Sequence, residues 1–449
     1  MPTRGYPEGH VFYRTLTRGL PLATRGEGCW IHGEDGRSWL DAVGGAFVAS
    51  LGHGNAHVAR AIGDQAGTLA YINGTQFTHE PVEKLSAELA RRAPGDLSHC
   101  YYLGSGSEAV EAALKLARQY WVESGHSEKT KVLSLAPGYH GNTMLALSAS
   151  GRPRYQTFFH SWLVSVPRVP APYPYRCECA GQSAECPVCS GAALERAIVD
   201  EGSGTVAAFI AEPVGGSSTG ASVPRTEYWR NVREICDRHG VLWIADEVLT
   251  GAGRTGTWSA LEPYDAVPDI LTMGKGITGG YVPLSVVIAP LRIVDVIAGG
   301  SGSLLHAQTF SHHPVACAAA LATLEEIDRQ KLLPRVARMG TLLHERLKVL
   351  VTHKHVGDVR GRGLLAGIEL VANTATRQPF ARSEKVAEKF AQAAFDAGLV
   401  VWPNTGHANG VDGDLVMLAP PFIVSESEID EIVRRFQSAL SGTFETSKP

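Results

Sequence analysis

Five short segments carry residue types whose spacing permits chemistry. "TMGKGITGGYVPL" holds Lys275 between two glycines, directly after a strand-like run. A lysine with small neighbours is commonly a solvated loop residue, but one desolvated at a sheet edge becomes a nucleophilic amine. "GVLWIADEV" ends in Asp246 and Glu247, and "AFIAEPV" ends in Glu212. Acids at the end of a buried strand need a cation, metal or ligand to serve. "HCYYLGSGSEAVEAALKLAR" runs from a strand through Gly104, Ser105, Gly106 and Ser107 into a helix. The N–H groups and dipole of such a helix start suit an anion, although a serine cap taken alone is ordinary. "PGYHGNT" sets Tyr139 beside His140 on a turn. A flat side chain there can stack on an aromatic ligand or simply fill the turn.

The elements that must position these residues are legible as apolar, β-branched runs bounded by Gly or Pro. They are residues 131–135, 205–214, 241–248, 269–275 and 284–290. Helical patterns lie between several of them. Val110, Ala113, Leu114, Ala117 and Trp121 share one helical face. "PRTEYWRNVREICDRHG" opens on a proline suited to a first helical turn and closes on a glycine suited to a stop. Strands alternating with helices predict an α/β fold with a mostly parallel sheet flanked by helices. Beyond about residue 330 the pattern changes to long helical stretches around "GLLAGIEL" and "DLVMLAPPFIV", a smaller α+β domain. The expected division is 1–60 contributing to the small domain, 61–330 as the large domain, and 331–449 as the small one. Ligands in such sheets collect at the carboxyl ends of the strands, where the five segments lie.

An anion-binding helix start, an aromatic platform, a buried acid and a lysine match the needs of pyridoxal 5′-phosphate. The Gly/Ser loop takes the phosphate, Lys275 the aldehyde, and a carboxylate the pyridinium nitrogen. On this reading Asp246 serves the ring nitrogen. Glu247 alternates to the other face of the strand and reads as a structural ion-pair partner.

At these residues the chain resembles the class III (fold type I, ω-) aminotransferases. The likeness runs from "WLDAVGGAFVASLGHGN" through "GSGSEAVEAALKLAR", "PGYHGNT", "AFIAEPV", "IADEVLTGAGRTG" and "GKGITGGYVPL" to "TFSHHPVACAAALA" and "LAPPF". The resemblance implies Lys275 as Schiff-base lysine and Asp246 as pyridinium partner, with Ser105, Gly106 and Ser107 on the phosphate. It implies Tyr139 stacked on the ring beside His140, Val248 on the opposite face, and Glu212 near the ring's 3-hydroxyl. Thr309 in "QTFSHHP" would reach the phosphate of a partner subunit, since sites in this family lie at a homodimer interface. One departure is Gly104, where many relatives carry Asn. The implied activity is ping-pong transamination between small-molecule amines and oxo acids, with Lys275 both covalent anchor and general base. The same scaffold also serves 2,1-aminomutases and decarboxylating relatives, and a non-catalytic binding protein is a further alternative.

Substrate signals are thinner. Many relatives hold a carboxylate with an arginine ahead of the "APP" triplet, but residues 399–422 contain no Arg or Lys. Gly410 and Met417 stand where one is expected. Arg154, Arg168 and Arg254 are substitutes, each also readable as structural. "GHANGVDG" reads as a mobile flap. Phe47 and Trp30 suit an apolar wall for an amine, Trp30 equally a core position. An amine:pyruvate-type activity is favoured.

Four of the eight cysteines are scattered singly, and four form C-x-C-x6-C-x2-C at Cys177, Cys179, Cys186 and Cys189. Two close pairs match a structural Zn(Cys)4 site, with unligated thiols as the alternative; no metal is expected in the catalytic site. The whole chain has 449 residues, 44% hydrophobic and 19% charged, with a formal net charge of -4. That balance offers no basic footprint for nucleic acid and no pull towards anionic membranes. No apolar run reaches the roughly 18 residues of a membrane span, and no signal-peptide core is seen, so a cytoplasmic protein is expected.

Overall fold

The computed structural model describes residues 5–7, 9–180, 183 and 185–444. Its centre is a seven-stranded sheet. The strands are β1 (Leu97–Leu103), β2 (Lys131–Ala136), β3 (Arg168–Pro170), β4 (Val206–Ala211), β5 (Leu242–Glu247), β6 (Ile270–Met273) and β7 (Ser285–Pro290). Their spatial order is β1-β7-β6-β5-β4-β2-β3. From β3 to β6 every neighbouring pair is parallel. Only β7 runs antiparallel to its neighbours β6 and β1. Every residue of β4 and β5 is buried, which is why these strands read as continuous apolar runs rather than alternating ones. β3 escaped the sequence reading because prolines surround it; it occupies the sheet edge, where a missing N–H is tolerated.

The helix Gly106–Glu123 buries the expected face, Val110, Ala113, Leu114, Ala117 and Trp121, in a core cluster shared with β4, β5 and β7. Each large side chain withdrawn from water there contributes about 1.5–3 kcal/mol. Trp121 Nε1 also donates to the Ala207 carbonyl at 2.8 Å. The helix Tyr228–His239 stops at Gly240, whose φ of 59° is left-handed. Its start corrects the sequence reading: Pro224 lies ahead of the first turn. A turn closed by Tyr228 N on the Arg225 carbonyl (3.1 Å) intervenes, and Tyr264 donates to the Pro224 carbonyl at 3.3 Å.

Two smaller sheets flank this core. Ala23–Glu27, Trp30–Gly33 and Ser38–Asp41 are antiparallel, and Leu399–Val400 joins in parallel with Leu40 and Asp41. The N-terminal strands thus pair with a strand from the far end of the chain. Val356–Arg362, Leu365–Leu370, Asp414–Leu418 and Trp402–Thr405 make the other sheet, antiparallel throughout. Helices Leu332–Leu347, Val386–Asp396 and Glu426–Phe444 accompany it. Among the described residues no helix is long and apolar enough to cross a membrane.

Candidate active site

Asp246 pairs with Thr272 and Glu247 with Met273 across β5 and β6, so Lys275 follows two residues beyond the sheet partner of Glu247. The ends of these strands close one pocket of about 260 Å³. Its wall brings together Lys275, Asp246, Glu212, Tyr139, His140, Gly106, Ser107 and Val248, drawn from five separate segments.

Alternation along β5 turns Asp246 into the pocket. His140 Nδ1 donates to its Oδ2 at 2.7 Å, while Val248 N (3.1 Å) and Thr272 Oγ1 (3.3 Å) donate to Oδ1. The His140 side chain is fully covered, its backbone N donates to Ser150 Oγ at 2.8 Å, and its Nε2 has no partner among the described residues. The imidazole therefore acts as the fixed donor that aims the Asp246 carboxylate.

Lys275 stands at φ 44°, a left-handed backbone that a side chain adopts only when its surroundings impose it. It opens the 3-10 turn Lys275–Thr278, pinned by Ser50 Oγ donating to the Gly276 carbonyl at 3.1 Å. Nζ lies 5.6 Å from the Phe47 ring centre. Burial lowers its pKa, with the Asp246 and Glu212 carboxylates opposing. Burial raises that of Glu212, even though Tyr139 N (3.1 Å) and Gly216 N (3.0 Å) donate to it.

Ser105 caps the helix Gly106–Glu123, its Oγ accepting from Glu108 N at 3.3 Å. Ser107 Oγ accepts from Asn142 N at 3.1 Å, tying the helix start to the Tyr139–His140 turn. A Cβ on Gly106 would fall 2.6 Å from Val248 Cγ1, and one on Gly141 2.6 Å from Ser107 Oγ. Bare backbone is what lets the three segments close on each other. Thr309 does not line this pocket; its carbonyl accepts from Tyr71 at 2.9 Å.

Several expectations are corrected. Glu247 makes no ion pair among the described residues. It is buried against Ser259 Oγ, Thr250 Oγ1 and Ala260 N (2.8 Å), and burial pushes its pKa up to about 7. The three nominated arginines lie outside the pocket wall. Arg254 donates to the Leu364 and Pro420 carbonyls, Arg168 to Ser134 Oγ and the carbonyls of residues 148–150, and Arg154 to Thr405 Oγ1. Burial lowers Arg254 to about 9 and Arg168 to about 10. The "GHANGVDG" segment is a tied turn rather than a loose flap: Gly406 N bonds the Gly413 carbonyl at 3.0 Å, and buried His407 Nε2 lies 3.1 Å from Glu369 Oε1. Phe47 does reach the pocket, packed on Trp402 at 5.4 Å. Trp30 does not; its Nε1 donates to Glu428 at 3.0 Å.

The sequence reading passed over Arg152, which lines the pocket with Tyr155 and Ser217. Its guanidinium sits 4.5 Å from the Tyr155 ring centre and donates to Ser217 Oγ (3.3 Å), Asn404 Oδ1 and the Thr405 carbonyl (3.4 Å). Its one sequence signal is a position just after the Tyr139–His140 segment, which many surface arginines share. A larger cavity of about 440 Å³ lies elsewhere, walled by Cys100, Tyr101, Leu116 and Ile297. Among the described residues it is lined by no carboxylate and no lysine, and so offers none of this chemistry.

The family model described as aminotransferase class-III matches residues 15–440. An uncharacterized aminotransferase of Schizosaccharomyces pombe is 37% identical, covering 97% of this chain and 96% of that protein. A putrescine–pyruvate aminotransferase of Pseudomonas aeruginosa is 33% identical, with 96% and 93% covered. Among solved structures, the PLP-bound amine transaminase of an uncultivated Pseudomonas species superposes with a TM-score of 0.88. It is 35% identical, and 99% of each chain is covered.

Proposed function

Since the chain belongs to the class III aminotransferases, with their fold type I architecture, and is an aminotransferase rather than a non-catalytic relative, we propose that it uses pyridoxal 5′-phosphate to move an amino group from an amine or ω-amino acid to an oxo acid such as pyruvate. The observation that carries this reading is the convergence of Lys275, the Asp246–His140 pair and the Ser105-capped helix start on one pocket.

The residues fit that cofactor. An 18-residue helix aims its first-turn N–H groups and dipole at the pocket edge, a dianion's natural seat, with Ser105, Gly106 and Ser107 there. The bare α-carbons of Gly106 and Gly141 leave the close approach open. Asp246 is a buried carboxylate whose only charge-capable hydrogen-bond partner among the described residues is His140, and it suits a protonated ring nitrogen. Tyr139 and Val248 supply flat and branched walls, and Glu212 an acid for the 3-hydroxyl. Bound there, pyridoxal phosphate supplies an electron sink for a carbon that loses a proton.

The remaining work falls to the chain. Lys275, its pKa lowered by burial, presents a larger neutral fraction of its amine, first as nucleophile and then as the base that moves the proton. Asp246 holds a proton at the ring nitrogen, and His140 keeps that carboxylate aimed. Arg152, one of two arginines that line the pocket with Arg14, takes the oxo-acid carboxylate in place of the arginine that residues 399–422 lack. Phe47 and Trp402 receive the apolar part of the amine. Thr309, outside its own chain's pocket, acts across a homodimer interface; Tyr71, Phe77, Leu305 and Phe310 are exposed apolar side chains on the same and neighbouring loops.

Purified protein given pyridoxal phosphate, a primary amine and pyruvate is expected to form alanine. With amine alone it should stop after one equivalent of carbonyl product per chain. Isomerised substrate without net transfer would make it an aminomutase, and released CO2 a decarboxylase. A protein that stays colourless with the vitamer and transfers nothing would sink the reading altogether.

A further inference from the structure

The cysteine loop carries an arrangement that transamination does not use. Cys177, Cys179, Cys186 and Cys189 place all four sulfurs within 4.8 Å of one another. Neighbouring sulfurs stand 3.4 Å (Cys177–Cys179), 3.5 Å (Cys177–Cys186), 3.3 Å (Cys179–Cys189) and 3.6 Å (Cys177–Cys189) apart. Thiols are weak hydrogen-bonding groups and have little reason to crowd four to a point. Two disulfides would sort the sulfurs into separate pairs, yet Cys177 is close to all three others. A tetrahedron of sulfurs about 2.3 Å from a central zinc has edges of about 3.8 Å, near these separations.

The backbone is built for the same end. Two knuckles, Cys177-Glu178-Cys179 and Cys186-Pro187-Val188-Cys189, face each other. The first is tightened by Cys177 N on the Tyr173 carbonyl (2.8 Å) and Ala180 N on the Cys177 carbonyl (2.9 Å). The second is the short helix Pro187–Ser190, stopped by Gly191 at φ 87°. Arg377 Nη1, donating to the carbonyls of Tyr175 (2.9 Å) and Cys177 (3.4 Å), sets a fixed positive charge beside the cluster.

We propose that Cys177, Cys179, Cys186 and Cys189 bind one structural Zn²⁺. Binding releases four thiol protons and leaves a tetrathiolate centre of net charge minus two, half of which Arg377 offsets. No position stays open, so the ion does no chemistry. Its effect is mechanical. The same loop sends Tyr173 and Arg176 to Glu369 at 2.5 and 2.6 Å, and Glu369 holds His407 in the turn after Asn404 and Thr405, which in turn fix Arg152.

Tag-free protein purified without chelator is expected to carry one zinc per chain by plasma mass spectrometry, and C186S/C189S under about a tenth of that. Reduced wild-type protein reconstituted with Co²⁺ should show a thiolate-to-metal charge-transfer band and the intense visible bands of a tetrahedral site. The cobalt spectrum stands even if the double variant fails to fold. Wild type that emerges zinc-free and keeps neither metal through gel filtration overturns the proposal. So does a folded C186S/C189S with undiminished zinc.

Discussion

Asp246 and Glu247 are adjacent, both buried, and end the same strand, yet they face opposite environments. Asp246 looks into the pocket and accepts from an imidazole, an amide and a hydroxyl. Glu247 looks into packed protein and, among the described residues, accepts only from two hydroxyls and an amide, which leaves burial to push it up to about 7. What separates them is the set of partners on each face of the sheet, more than depth or residue type. At Glu247 the three neutral donors pull towards the ionised form, and burial outweighs them.

The largest effect that sharpens this contrast comes from the pocket's lysine. Lys275→Ala is expected to cut turnover on the order of 10⁴-fold, with the fold intact by circular dichroism. Wild-type rates in that variant would remove the pocket from the chemistry. Next comes Asp246→Asn, which keeps shape and loses charge. Turnover should fall roughly 10²–10³-fold, while Glu247→Gln stays within about threefold of wild type. Equal losses in both variants would erase the distinction between the two faces.

Arg152→Met should raise the KM for pyruvate by about 10- to 100-fold, the equivalent of one charge-assisted hydrogen-bonded contact, and spare the half-reaction of an uncharged amine donor. A uniform loss in both half-reactions would instead mark Arg152 as a support for Asn404. The smallest expected effect is in stability. Glu247 has a folded pKa above its unfolded value, so the folded state binds more protons between about 4.5 and 7. Its contribution is present below the unfolded value and is lost as pH rises through the folded one. Melting curves should therefore favour Glu247→Gln progressively from pH 5 to pH 8, relative to wild type. A difference independent of pH would mean that Glu247 is ionised throughout.

How far the chain could be read varies with how local each signal is. The buried face of Gly106–Glu123 and the glycine stop at Gly240 are local, written in spacings of a few residues. The edge strand β3 is set by its place beside β2, against its own proline-rich composition, and was invisible beforehand. Glu247's neutral surroundings come from Ser259 and Ala260, which nothing in the strand itself announces. Arg152 differs from Arg154 by two positions, yet one lines the pocket and the other bonds Thr405 outside it.

By itself the sequence determined the alternation of strand and helix, the ends at which functional residues gather, and the lysine, acid and glycine–serine types that chemistry there requires. Those follow from periodicity and from what each side chain can do. Tertiary structure alone decided which arginines enter the pocket, that His140 aims Asp246, and that Glu247 has no ionic partner among the described residues. Each depends on segments distant in the chain, or on turn geometry, bringing groups within a few ångströms, and no spacing along one segment encodes that distance.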